Sequence, residues 1–368
     1  WICRPGNPVL GRYPADFDPQ PHAPGHRVKP PAGDVAMSQT SASHASTCPA
    51  PAYDWQSAIE IYDYRQAANP IRPGLTEPIP DRSWPPSLHA EPRTAILPLD
   101  LSEELGCSGP ATSPALAAHF LRILPGEGLK ASATATSSLF YALRGSGTLE
   151  RPPSPGQPAL SLAWDAGDLF VLPSGADPLL QASSDSLLYW VHDGPLLRYL
   201  GVAPLEPRFR ASHYPAALLE AELQTLLADP SAARSNRLSI LLASADHPAS
   251  RTVTHTLWAM LGLVPPGASQ PPHRHQSVAL DLIIDCDPGC YTLVGTELNP
   301  DGTIRNPRRV DWQPGGAFIT PPGHWHAHTN ESGRVARLLP IQDAGLNTYL
   351  RSLDIRFAGP AGMATTPG

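Results

Sequence analysis

Hydrophobic and polar positions along this chain change period several times, and the changes divide it. From about residue 95 the apolar residues come in short runs, at 118–124, 138–143, 161–164, 169–172 and 186–191. Gly, Pro and Ser separate them, the signature of strands joined by tight turns. Residues 215–228 differ: Leu218, Leu219, Leu223, Leu226 and Leu227 recur on one helical face, and Asp229-Pro230 ends the pattern. A second strand-rich block runs over 251–357. Residues 52–69 predict one further helix that stops before Pro70, and 70–95 is Pro-rich and expected to run extended over the surface.

The two strand-rich blocks resemble each other. Gly167-Asp-Leu-Phe-Val-Leu-Pro173-Ser-Gly175 parallels Gly315-Gly-Ala-Phe-Ile-Thr-Pro321-Pro-Gly323, and Pro125-Gly126 parallels Pro266-Gly267. An internal duplication of this size implies two similar domains. The expected organisation is a Pro-rich N-terminal extension (1–94), a first domain (95–205), a helical linker (206–250), a second domain (251–357) and a flexible tail (358–368). Residues 1–36 are aperiodic, and translation is expected to start at Met37.

Chemistry concentrates in the second block. Gly267, five residues, then His273-Arg-His275 is followed by Gly315, five residues, Pro321-Pro-Gly323, then His326 and Asn330. This spacing matches the two halves of the cupin signature. Residues two apart on a strand share a face, so His273 and His275 point together, and His326 enters from another strand after a tight turn. Three imidazoles suit iron, zinc, copper or nickel better than calcium or magnesium, and three ligands leave coordination positions open; iron is the expected metal, with manganese, zinc or nickel as alternatives. The corresponding positions of the first block hold Ala133-Thr134-Ala135 and Pro178, which cannot bind a metal, so that domain is expected to act as scaffold. The predicted fold class is all-β: two cupin jelly-roll barrels with a few short helices.

The run Thr256-Leu-Trp258-Ala-Met-Leu-Gly-Leu-Val-Pro-Pro-Gly267 leading to the paired histidines, and Trp325-His326-Ala-His328-Thr-Asn330, resemble the metal-binding barrel of gentisate 1,2-dioxygenases and their salicylate-cleaving relatives. The first block is similar to their other barrel, with the order of barrels exchanged. The resemblance spans about residues 95–357. It implies an Fe(II)-dependent enzyme that opens an aromatic ring with dioxygen, with His273, His275 and His326 as metal ligands. It also implies that His328 lies beside substrate or dioxygen and that Trp258 lines the pocket. His328 could serve as acid or base, or only hydrogen-bond a neighbour. Trp258 could stack on substrate or belong to the barrel wall.

Two positions depart from the family. Where it has a substrate-binding Arg this chain has Asp281, and where it has a Gln this chain has Gly262. On an unbroken strand Asp281 shares the face of His275 and points into the barrel. A carboxylate there repels anionic ligands, which favours neutral phenols, catechols or aminophenols over gentisate. Alternatively Asp281 pairs with an internal arginine such as Arg337, or joins the metal ligands. Outside ring cleavage, an isomerase, decarboxylase, hydrolase or non-enzymatic small-molecule binder fits the same fold.

Composition narrows the setting. Among 368 residues, 41% are hydrophobic, enough for two cores, and 46 Pro with 29 Gly favour turns over long helices. A net charge of −7 without a basic cluster argues against nucleic acid and anionic membranes. No apolar run approaches the length of a membrane span. Five scattered cysteines do not form a disulfide framework, although Cys286 and Cys290 flank a turn and could pair. A cytoplasmic location is expected. The apolar outward face of the metal strand (Val278, Leu280, Leu282, Ile284) must meet either the other barrel or a second subunit, and a homo-oligomer is expected.

Overall fold

The computed structural model describes residues 54–67, 76–230, 237–359 and 364–365. The chain divides into two units, 1–62 and 63–368. The described part of the first, 54–62, is a turn and an extended stretch, with Trp55, Ile59 and Ile61 exposed. Of the helix expected over 52–69, the described residues show one turn, Tyr64–Ala67, whose start is held by the Asp63 carboxylate accepting from the Arg65 backbone N–H at 2.9 Å. A short amphipathic helix is marginal unless its apolar face is buried, and here that face is exposed.

In the second unit, antiparallel strands form four sheets. The first block builds a six-stranded sheet in the order Ser212–Tyr214, Leu169–Pro173, Ser137–Arg144, Ser186–His192, Ala117–Ile123, Ala95–Pro98. Opposite it lies a four-stranded sheet of Gly128–Lys130, Leu179–Ala182, Ser146–Arg151 and Leu160–Asp165. Between them is an apolar core that includes Leu121, Phe140, Leu149, Trp164, Phe170 and Trp190, with Phe140 and Trp190 stacked 5.7 Å apart. The second block repeats the plan. One six-stranded sheet runs Ser83–Trp84, Ala317–Thr320, Ala279–Asp285, Ala336–Gln342, Trp258–Val264, Leu238–Leu242. The other runs Arg308–Asp311, Cys290–Gly295, Trp325–Asn330, His273–Arg274, Arg356–Ala358, Ala364–Thr365. The fold is all-β, two jelly-roll barrels with short helices.

The first block's six-stranded sheet packs on the second-block sheet that holds Ala279–Asp285. Ala118, Phe120, Leu139, Tyr141, Val171 and Tyr189 of the first block share one core with Leu261, Leu280, Leu282, Ile319, Leu339 and Ile341 of the second. Central strands such as Ala117–Ile123 and Ser186–His192 are therefore buried on both faces, which is why they read as continuous apolar runs. This contact settles the open question about the metal strand: Val278, Leu280 and Leu282 face the other barrel.

Long-range pairing recruits segments outside the expected domains. Ser83–Trp84, from the extension thought to run free over the surface, pairs with Ala317 and Phe318 of the second barrel. Nearby, the buried His89 ring bonds the Gly315 carbonyl through Nε2 at 3.0 Å. The stretch taken as a helical linker holds the helix Ala216–Ala228, but also the strands Ser212–Tyr214 and Leu238–Leu242, one added to each large sheet. Ala364–Thr365, in the expected tail, pairs with Arg356–Ala358. Cys286 and Cys290 are buried and free. Met37 and residues 1–36 lie outside the described residues.

Candidate metal centre

The site forms where the two sheets of the second barrel approach. His273 lies directly opposite His326 in the antiparallel register. Their ring centroids are 3.8 Å apart, and His275 stands 5.0 Å from His326. All three rings are buried, and their candidate ligand atoms lie within 4.8 Å of one another. Among the described residues this is the one such cluster of three metal-ligating side chains. The Pro-x-Gly turn makes the register possible. Gly323 has φ +77°, a conformation a type II turn requires and other residues resist, and its N–H donates to the His275 carbonyl at 2.7 Å.

Neighbouring groups orient each ring. His275 Nδ1 lies 2.8 Å from the Ser277 carbonyl and 3.0 Å from its hydroxyl, which donates onward to Gln342 Oε1 at 2.8 Å. His326 Nδ1 lies 3.1 Å from the His324 carbonyl. Nδ1–H in both rings satisfies those carbonyls and leaves Nε2 with a lone pair. Indeed His275 Nε2, like His273 Nδ1, is buried without a partner. Burial pushes His273 and His326 well below the usual imidazole range and His275 to about 4. Neutral, converging ring nitrogens are the donor set a borderline transition metal takes.

His328 is two residues along the same strand, its ring 5.8 Å from that of His326. Its Nδ1 lies 2.8 Å from the Thr292 hydroxyl, which also accepts the Trp312 indole N–H at 2.8 Å. With Trp312 donating, the hydroxyl keeps its hydrogen and a second lone pair, so it holds the His328 ring in either neutral tautomer. Burial first, then the nearby Arg237 charge, pushes His328 to about 3, so it works as a neutral imidazole.

Asp281 points into the barrel as the alternation predicts. The strand's register shift falls beyond Ile283, too late to turn it outward. It is buried and accepts from the Thr320 hydroxyl at 3.2 Å. Burial raises its carboxyl to about 7, against the opposing pull of the Thr320 bond and Arg237. Arg337 is not its partner: that side chain pairs with Glu220 on the helix Ala216–Ala228, at 2.6 and 3.1 Å. Asp281 is also outside the metal-ligating cluster. Trp258 is half-buried opposite Gln342 in the register, and its indole N–H is buried without an acceptor.

One charged side chain was missed. Arg237 precedes the edge strand Leu238–Leu242, and its Nη2 contacts His273 Nε2. The guanidinium carbon sits 5.9 Å from the Phe357 ring, and burial lowers the group to about 10, which leaves it protonated. The alternation Arg237-Leu-Ser-Ile-Leu-Leu was a signal for this strand. Thr292 and Trp312 were missed as well, because they meet His328 only once the barrel is closed.

The fold and the site define a bicupin with, among the described residues, one three-histidine cluster, in its second barrel. Comparisons agree on the fold. No family model matches the chain. The salicylate 1,2-dioxygenase of Pseudoaminobacter salicylatoxidans, in its adduct with gentisate, superposes with a TM-score of 0.61 at 11% identity, over 81% of this chain and 91% of that one. Another structure of that enzyme gives 0.59 at 12% identity, over 81% and 94%. In sequence, the chain is 34% identical to gentisate 1,2 dioxygenase 1 of Aquipseudomonas alcaligenes over 82 residues, 22% of this chain and about a fifth of that protein. Among the described residues no helix is long and apolar enough to cross a membrane.

Proposed function

We propose that the protein is an Fe(II)-dependent dioxygenase that opens the ring of a phenolic or catecholic small molecule. The observation that carries this reading is the trio His273, His275 and His326: buried, neutral and converging, in a bicupin of the salicylate dioxygenase fold. Bound iron would supply the open positions at which a phenolic oxygen and dioxygen come together. The chain's own residues do the rest. Ser277 and the His324 carbonyl fix the ring orientations of His275 and His326. His328, held by Thr292 through Nδ1, is a neutral imidazole beside the trio, suited to exchanging a hydrogen bond with a substrate oxygen. Trp258 adds an unpaired indole N–H and an aromatic face. Asp281 stands where a substrate-binding arginine is expected, so gentisate itself is not the expected substrate.

The test is elemental analysis of anaerobically purified protein together with oxygen uptake on a panel of phenols. About one iron per chain, absent in His273→Ala, with oxygen uptake on at least one phenol, supports the reading. Zinc, manganese or nickel at that level without oxygen uptake moves it to a non-oxidative enzyme. No metal leaves a binding protein.

A further inference from the structure

Two opposite charges share the interior of the second barrel without pairing. Asp281 has one hydrogen bond, from a hydroxyl, and Arg237 has a buried Nε with no acceptor. Among the described residues no carboxylate lies within ion-pair distance of Arg237. Buried opposite charges normally close into a hydrogen-bonded pair, because each alone is costly to desolvate. Here no hydrogen bond joins them. Asp281 is on the strand Ala279–Asp285 and Arg237 is beyond the edge strand, with Ala336–Gln342 and Trp258–Val264 between them. Three strand spacings separate the two backbones, and each side chain acts on the other through its charge without a hydrogen bond between them. Arg237 reaches the histidine trio through its contact with His273, so an anion it holds lies beside those rings.

We propose that Arg237 and Asp281 together select an aromatic substrate carrying both a carboxylate and an amino group, an aminohydroxybenzoate class. The proposal rests on the dioxygenase reading above only for its reaction, not for its binding. Arg237 takes the carboxylate and Asp281 accepts from the amine. A carboxylate alone leaves Asp281 facing negative charge or unsatisfied, and an aminophenol alone leaves Arg237 without its anion. On this proposal Asp281 does not by itself make the pocket hostile to anions, because Arg237 supplies a compensating charge from a segment distant in the chain.

The experiment is anaerobic calorimetric titration of the full-length, iron-loaded protein with 2-amino-3-hydroxybenzoate, 2-aminophenol and salicylate. The first should bind tightest. Arg237→Gln should cut the preference for 2-amino-3-hydroxybenzoate over 2-aminophenol by roughly 10- to 100-fold, the worth of a hydrogen bond to a charged group. Asp281→Asn should cut its preference over salicylate similarly. Arg237→Lys, which keeps the charge, should keep part of the first preference and guards against a misfolded glutamine variant. Equal affinities for all three probes, no binding at all, or variants that leave both ratios intact would overturn the proposal. Oxygen uptake separates it from the broader reading. The expected binding pattern without oxygen consumption sinks the dioxygenase and leaves the pair. Ring cleavage of salicylate in preference to the aminobenzoate sinks the pair and leaves the dioxygenase.

Discussion

Replacing Asp281 with Asn should make the protein more stable at neutral and alkaline pH, and the effect can be sized. The carboxyl moves from 3.8 to about 7 because burial penalises its charged form more than Thr320 and Arg237 favour it. Below pH 4 the acid is protonated folded or unfolded and contributes nothing. Between pH 4 and 7 the folded chain holds the proton more tightly, so stability falls as pH rises. Above 7 the full penalty stands, roughly 4 kcal/mol for a displacement of this size. Because Asp281 is only 2% exposed, solvent does little to screen it. Asn keeps an acceptor for Thr320 and has no charge to desolvate. Asp343 is also raised to about 7 by burial, so both proteins retain its contribution, and their difference isolates Asp281. The assay is urea denaturation of chelator-treated wild type and Asp281→Asn at pH 4, 5, 6, 7 and 8. The two should converge at pH 4 and separate progressively to pH 8. Parallel curves, or a wild type that gains on the variant as pH rises, would refute the assignment of Asp281 as a desolvated acid.

Leu280→Ala, in the core shared by the two barrels, should cost about 2–5 kcal/mol and lower the midpoint of one common unfolding transition in a denaturant melt. Thr292→Val strands the Trp312 N–H and the His328 Nδ1. It should cost about 1–3 kcal/mol in the same assay and alter the rate of any oxygen-consuming reaction, while the iron content stays unchanged. Arg337→Ala breaks a partly exposed pair with Glu220. The loss should be about 1 kcal/mol or less by denaturation, with ligand affinities by calorimetry unaltered, in contrast to Arg237.

Much of the metal centre was legible in the linear chain because its geometry is local. Two histidines two apart share a face by strand periodicity alone, and a Pro-x-Gly turn places the third a fixed few residues on. The absence of ligands from the first barrel was equally legible, since Ala133, Ala135 and Pro178 carry no donor atom. The direction of Asp281 followed from the same alternation, since no bulge intervened before Ile283. What alternation cannot supply is a partner. Arg337 was a reasonable choice for Asp281 by residue type, yet it points to the opposite side of its sheet and meets Glu220.

The amino-acid sequence by itself determined the all-β class, the duplication and the three converging imidazoles, because each depends on spacings of a few residues that strand and turn geometry convert directly into direction. Only the tertiary structure decided which apolar face the two barrels share, which outlying strands complete each sheet, and which charge accompanies Asp281. Those depend on contacts between segments tens to hundreds of residues apart, such as Arg237 with His273 and Trp84 with Ala317. No local period encodes such contacts, and they form only when buried surface and closed sheets compensate for the entropy of bringing the segments together.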